Sequence, residues 1–141
     1  MNVKPFRWFQ FTKKRRLRNF LAALRSGKYL QSHGELAGRD TEAEPWKYCC
    51  LGVACEVAVQ DGLRLDVKER QFKKYYNNEG GVLPPKVADW YGFNSTDPHL
   101  WSESSEMHRA SALNDRFKMG FEEIADAFEQ TFLPNNPKEN Q

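Results

Sequence analysis

The least polar stretch of the chain is Tyr48-Cys49-Cys50-Leu51-Gly52-Val53-Ala54-Cys55-Glu56-Val57-Ala58-Val59. Leu51, Ala54, Val57 and Ala58 recur at helical spacing, which predicts a buried helix over Cys50–Gln60. Gly62 supplies a left-handed stop, and Glu56 and Gln60 fall off the apolar stripe and are expected to face outward. A second stripe, Leu17, Phe20, Leu21 and Leu24, predicts a helix over 13–26, with Thr12 as its N-cap and Gly27 as its end. A third, Phe121, Ile124, Ala125, Phe128 and Phe132, predicts a helix over 120–132, stopped by Pro134. Pro85 suits the first position of a short helix over 85–91, with Val87, Trp90 and Tyr91 on its apolar side and Gly92 after it.

Between these helices the period changes. Leu63-Arg64-Leu65-Asp66-Val67 alternates apolar and polar and predicts a strand, with 71–76 as its partner. Short extended pieces are expected at 28–31 and 46–48. Residues 94–109 are polar and predict a long loop holding His99, Trp101 and His108. The pattern as a whole predicts an α+β fold: a single compact domain with three main helices plus a short one packed on a small antiparallel sheet. Its expected organisation is a basic, aromatic N-terminal arm over 1–12, one α+β domain over 13–133, and a flexible tail over 134–141.

Composition narrows the class. The chain has 141 residues, 40% of them hydrophobic and 13% aromatic, enough for one core and too apolar for a disordered chain. Its longest apolar run is far short of a membrane span, and no apolar signal core follows the basic start. Three cysteines, two of them adjacent, suit a reducing cytoplasm better than a disulfide framework. Cysteine spacing does not match a zinc site, and Gly80-Gly81 lacks the context of a phosphate loop. No metal or cofactor is therefore expected.

Charge is what points outward. Residues 1–28 hold nine Lys or Arg and no acid, while the remainder holds twelve bases against nineteen acids. A basic head on an acidic body implies an anionic partner, or a head that docks on its own body. Lys13-Lys14-Arg15-Arg16, placed at the start of the predicted helix, would oppose the helix macrodipole, a cost that an anionic partner would explain. With Arg18, and with Arg7 and Trp8 from the aromatic–basic run 3–11, these are the candidate ligand-binding residues. The partner classes are nucleic acid, a nucleotide or an acidic host protein. The aromatics of the arm would alternatively pack on the body or on a second copy of the chain, giving a homo-oligomer.

An alternative chemistry is a cysteine-dependent hydrolase or transferase. Cys50, near a helix N-terminus where the dipole favours thiolate, or Cys49, would be the nucleophile. His108 would be the base, with His33 and His99 also available, and Asn114 or Asp115 would orient it. The same cysteines suit a packed helix equally well. Asn114-Asp115 is likewise either a turn or cap signature or a polar pair lining a pocket with Gln31 and Arg25.

Four segments in order carry a resemblance: Leu24-Arg25-Ser26-Gly27-Lys28-Tyr29-Leu30-Gln31; Tyr48-Cys49-Cys50-Leu51-Gly52-Val53 with Cys55-Glu56; Leu83-Pro84-Pro85-Lys86-Val87-Ala88-Asp89-Trp90; and Leu113-Asn114-Asp115 with Phe121-Glu122-Glu123-Ile124-Ala125-Asp126. Together, over about residues 20–130, they resemble small proteins of unassigned function encoded by bacteriophages and prophages. The resemblance implies a viral accessory protein in a bacterial cytoplasm and supplies no catalytic residue. The basic extension over 1–18 departs from it.

Overall fold

Helix α2 (Cys50–Gln60) occupies the centre of the structure, as its apolar run requires, and is buried from Cys50 through Cys55 and again at Val57 and Ala58. The computed structural model describes residues 6–102 and 106–134, with side chains from Thr12 onward. One residue sets how closely α2 is approached. A Cβ on Gly52 would overlap the backbone carbonyl of Leu36, so the helix backbone lies directly against the 36–38 segment.

Helix α1 (Phe6–Arg25) packs on α2 and on the last helix through Leu17, Phe20, Leu21 and Leu24, all buried as the stripe predicts. Its start differs from expectation. The helix begins at Phe6 and runs through Thr12, so the segment read as an arm is helical from residue 6. No Gly or Pro interrupts 6–12, and extending a formed helix adds one hydrogen bond per residue fixed. The tail expected over 134–141 lies, from residue 135 on, outside the described residues.

The sheet is mixed rather than antiparallel. Strands β1 (Leu30–Gln31), β2 (Ala37–Gly38), β3 (Lys47–Tyr48), β4 (Val67–Arg70) and β5 (Lys73–Tyr76) lie in the order β1-β3-β2-β5-β4, with β1 and β3 parallel. Residues opposite one another share a face. One rung crosses all five strands as Leu30, Lys47, Gly38, Lys73 and Arg70, and looks away from α2. The neighbouring rung brings Tyr48 and Ala37 inward. Glu56 of α2 does not face outward: its carboxylate accepts the Tyr76 hydroxyl at 2.6 Å and Lys74 at 3.3 Å, tying helix to sheet.

Strand β4 starts at Val67, where the alternation predicted its end. Leu63 and Leu65 are partly buried against the core without pairing, so the alternation marks packing and not a strand. The β4–β5 hairpin turns on Gln71 and Phe72, both at positive φ (52° and 66°), the two-residue turn that normally takes Asn-Gly. Helix α3 (Pro85–Tyr91) and its left-handed stop at Gly92 follow expectation. The segment expected as a loop over 94–109 instead forms a hairpin, β6 (His99–Trp101) with β7 (Met107–Arg109), and leads into α4 (Ala110–Asp115). Helix α5 (Phe121–Phe132) closes the core, its Phe128 edge-on to Phe20 at 5.0 Å. Among the described residues there are thus five helices, a five-stranded mixed sheet and a two-stranded hairpin in one α+β domain, and no helix is long and apolar enough to cross a membrane.

Candidate anion-binding cleft

Burial of the Leu17, Phe20, Leu21 and Leu24 face fixes the rotation of α1 and so sorts its cations into two groups. Lys14, Arg15 and Arg18 are exposed and make no ion pair among the described residues. Lys13 and Arg16 instead turn onto α3. The Lys13 ammonium donates to the carbonyl of Asp89 at 3.2 Å and the Arg16 guanidinium to that of Trp90 at 3.0 Å. Those carbonyls belong to the last turn of α3, where helix-internal donors run out. Arg16 also lies over the Trp90 ring at 3.5 Å. Burial lowers its pKa, with Asp61 opposing, and a guanidinium so placed keeps its charge.

Between α1, the end of α2 and α3 this arrangement leaves a cleft of about 190 Å³, lined by Thr12, Arg15, Arg16, Asn19, Asp61 and Trp90. Asn19 donates to the Asp61 carboxylate at 3.1 Å across its floor. The buried indole N–H of Trp90 finds no hydrogen-bond partner among the described residues. The cleft therefore offers guanidinium donors on one side and a carboxylate acceptor on the other. Asn19 follows from Arg15 and Arg16 by helical register, at i+4 and i+3. Asp61 and Trp90 are brought in only by tertiary packing, which no local pattern announces.

The dipole argument for the basic turn is overturned. With α1 starting at Phe6, Lys13 through Arg16 lie about two turns inside the helix, and the macrodipole acts only on the terminal turn. Arg7 and Trp8 belong to α1 by backbone, and their side chains lie outside the described residues.

The cysteine residues are placed differently from the nucleophile expectation. Cys49, Cys50 and Cys55 are all buried, and the Cys50 thiol lies 3.7 Å from the carbonyl of Ala110. Burial pushes the Cys49 thiol up to about 12 and those of Cys50 and Cys55 well above their ordinary value, so desolvation outweighs the helix N-terminus. His108 sits in β7 with its Nε2 3.2 Å from Glu106 and its ring on Phe117; His33 and His99 are exposed. Among the described residues no imidazole hydrogen-bonds a thiol, and no three His, Cys, Asp or Glu side chains gather as a metal site.

Asn114 is neither a local cap nor a base-orienting group. It is fully buried at the end of α4, where its Oδ1 accepts Gln31 at 2.9 Å and the Cys50 N–H at 3.1 Å. Its Nδ2 donates to the Ser32 carbonyl and to Asp115. Gln31 is thus the partner the pocket alternative named, whereas Arg25 pairs with Asp126 and Glu129 of α5.

Residues 13–132 match a family described as a domain of unknown function, DUF8296. The chain belongs to the DUF8296 family. Comparison with curated proteins and with solved structures gives no match. The DUF8296 match takes in Lys13 through Arg18, which the resemblance drawn from sequence left outside, and it covers all of the cleft except Thr12. It says nothing of a phage origin or of an activity.

Proposed function

We propose that this DUF8296 protein is a phage-encoded accessory protein that binds a nucleotide through the α1 cleft. The observation that carries the reading is the cleft itself: Arg15, Arg16 and Asn19 of α1 opposite Asp61, with Lys14 and Arg18 exposed on the same helix and without an ion pair among the described residues. A guanidinium takes phosphate oxygens in a planar fork. Asp61 repels a bare polyanion and accepts an O–H or N–H, which favours a phosphate carried on a sugar or base. The cleft is smaller than a pocket that encloses a whole ligand, so it takes one end while Lys14 and Arg18 meet charge outside it.

Titration calorimetry with ATP, pyrophosphate and adenosine tests this. ATP is expected to bind more tightly than pyrophosphate, and adenosine weakly or not at all. Arg15→Glu should remove ATP binding while leaving the melting temperature unchanged, since Arg15 is exposed. Unchanged ATP binding by that variant, or adenosine binding as well as ATP, sinks the proposal.

A further inference from the structure

We infer that the outer face of the five-stranded sheet is a binding surface for single-stranded nucleic acid. The inference rests on strand register and is independent of the α1 cleft. The rung Leu30, Lys47, Gly38, Lys73 and Arg70 faces away from the core, and Lys47, Lys73 and Arg70 are exposed. Lys73 and Arg70 stand directly opposite each other, where like charges repel. The next pair on the same face is Lys68 with Tyr75. At about 4.8 Å between strands, the cations from Lys47 to Arg70 span roughly 14 Å, room for several phosphates.

Only weak counter-charges answer them. Glu35 folds over Gly38 and lies 3.6 Å from Lys73, and Asp66 lies 3.6 Å from Lys68. The Asp66–Lys68 pair is open to solvent, Glu35 is half-buried beside an exposed Lys73, and at these separations both lysines yield to a phosphate.

Aromatic surface decides the kind of strand. The Arg70 guanidinium lies over the Tyr75 ring, 4.4 Å from its centroid, and Phe72 stands 44% exposed at the hairpin tip. Unpaired bases stack on such groups, whereas the bases of a duplex are already stacked on one another. An acidic protein surface would be served by the cations and would leave the aromatics idle. The occupant that uses both is a single strand.

The test is fluorescence anisotropy with a labelled oligothymidylate of about twenty nucleotides, a length covering one or more sites. The triple variant Lys47→Gln, Arg70→Gln, Lys73→Gln should bind at least tenfold more weakly, with a log–log salt slope shallower by about 2, since each phosphate on a single strand contributes roughly 0.7. Phe72→Ala should weaken binding about fivefold with the slope unchanged. Glu35→Gln, which removes the acid from the middle of the face, should tighten it. Arg15→Glu, which empties the cleft, should cost oligonucleotide binding far less than the triple variant does, which separates this surface from the cleft. All these side chains lie at the surface, and circular dichroism checks that the fold survives. Absence of binding at low salt, full binding by the triple variant, or equal affinity for a duplex with Phe72 indifferent overturns the inference. Lys68 and Arg70, on the edge strand β4, would then serve only to keep that edge from pairing with other chains.

Discussion

The side-chain oxygen of Asn114 holds the backbone N–H of Cys50 at 3.1 Å, joining the start of α2 to the end of α4. That amide is one of the orphan donors of a helix N-terminus, and here a remote side chain satisfies it without contact with water. The same residue bonds Gln31, Ser32 and Asp115. Asn114→Ala would strand several buried groups at once, each costing about 1–3 kcal/mol if left unpaired. We expect a loss of roughly 3 kcal/mol or more by urea unfolding. A loss under about 1 kcal/mol would mean that water replaces the side chain.

The thiols give a second expectation. Cys49, Cys50 and Cys55 are buried and held protonated, so iodoacetamide at neutral pH should label none of them until the chain unfolds. Rapid labelling of Cys49 or Cys50 in the folded protein would return the nucleophile alternative to consideration. Stability should follow pH in a defined sense. An unfolded thiol loses its proton near 9, whereas folded Cys49 keeps it to about 12. The unfolded state therefore binds fewer protons in that window, and stability falls as pH rises, by about 1.4 kcal/mol per pH unit for this group. Cys50, Cys55, Tyr76 and Tyr91 are raised by burial and act in the same direction. Melting temperatures measured from pH 7 to pH 11 should be level at first and drop beyond pH 9.

Gly52 carries the third. A methyl group there would have to displace the Leu36 carbonyl, which is backbone, and the Leu36 carbonyl also accepts the Cys49 N–H at 3.2 Å. Gly52→Ala raises helix propensity by up to about 1 kcal/mol in isolation. In this setting overpacking dominates, and we expect a net loss of roughly 3 kcal/mol, read as a lowered urea midpoint. A neutral or stabilised variant would show that α2 and the 36–38 segment separate easily.

Helical spacing of apolar residues and the breakers beside it are what the sequence makes legible. Cys50–Gln60 and the last helix show in their apolar stripes, ended by Gly62 and Pro134, and the short Pro85–Tyr91 in its bounding Pro85 and Gly92. The start of α1 is hidden because Thr12 has the chemistry of a cap and the aromatics before it alternate with bases. The β6–β7 hairpin is hidden because it buries little besides Leu100, so no period-two signal reaches the sequence. Parallel pairing of β1 with β3 rests on two residues from each strand, too few to show in any pattern. Of the candidate site, the basic residues were visible and the cleft was not. Asp61 and Trp90 meet Arg15 and Arg16 only once three helices have packed.

The turn at Gln71 and Phe72 has a last consequence. Asn77 and Asn78 adopt the same left-handed backbone a few residues later, with side chains that tolerate it, so the chain has the better solution at hand. A heat-driven selection would rewrite the first turn as Asn-Gly and remove its exposed ring. If that ring stacks on a base, durability and activity would pull this one position in opposite directions.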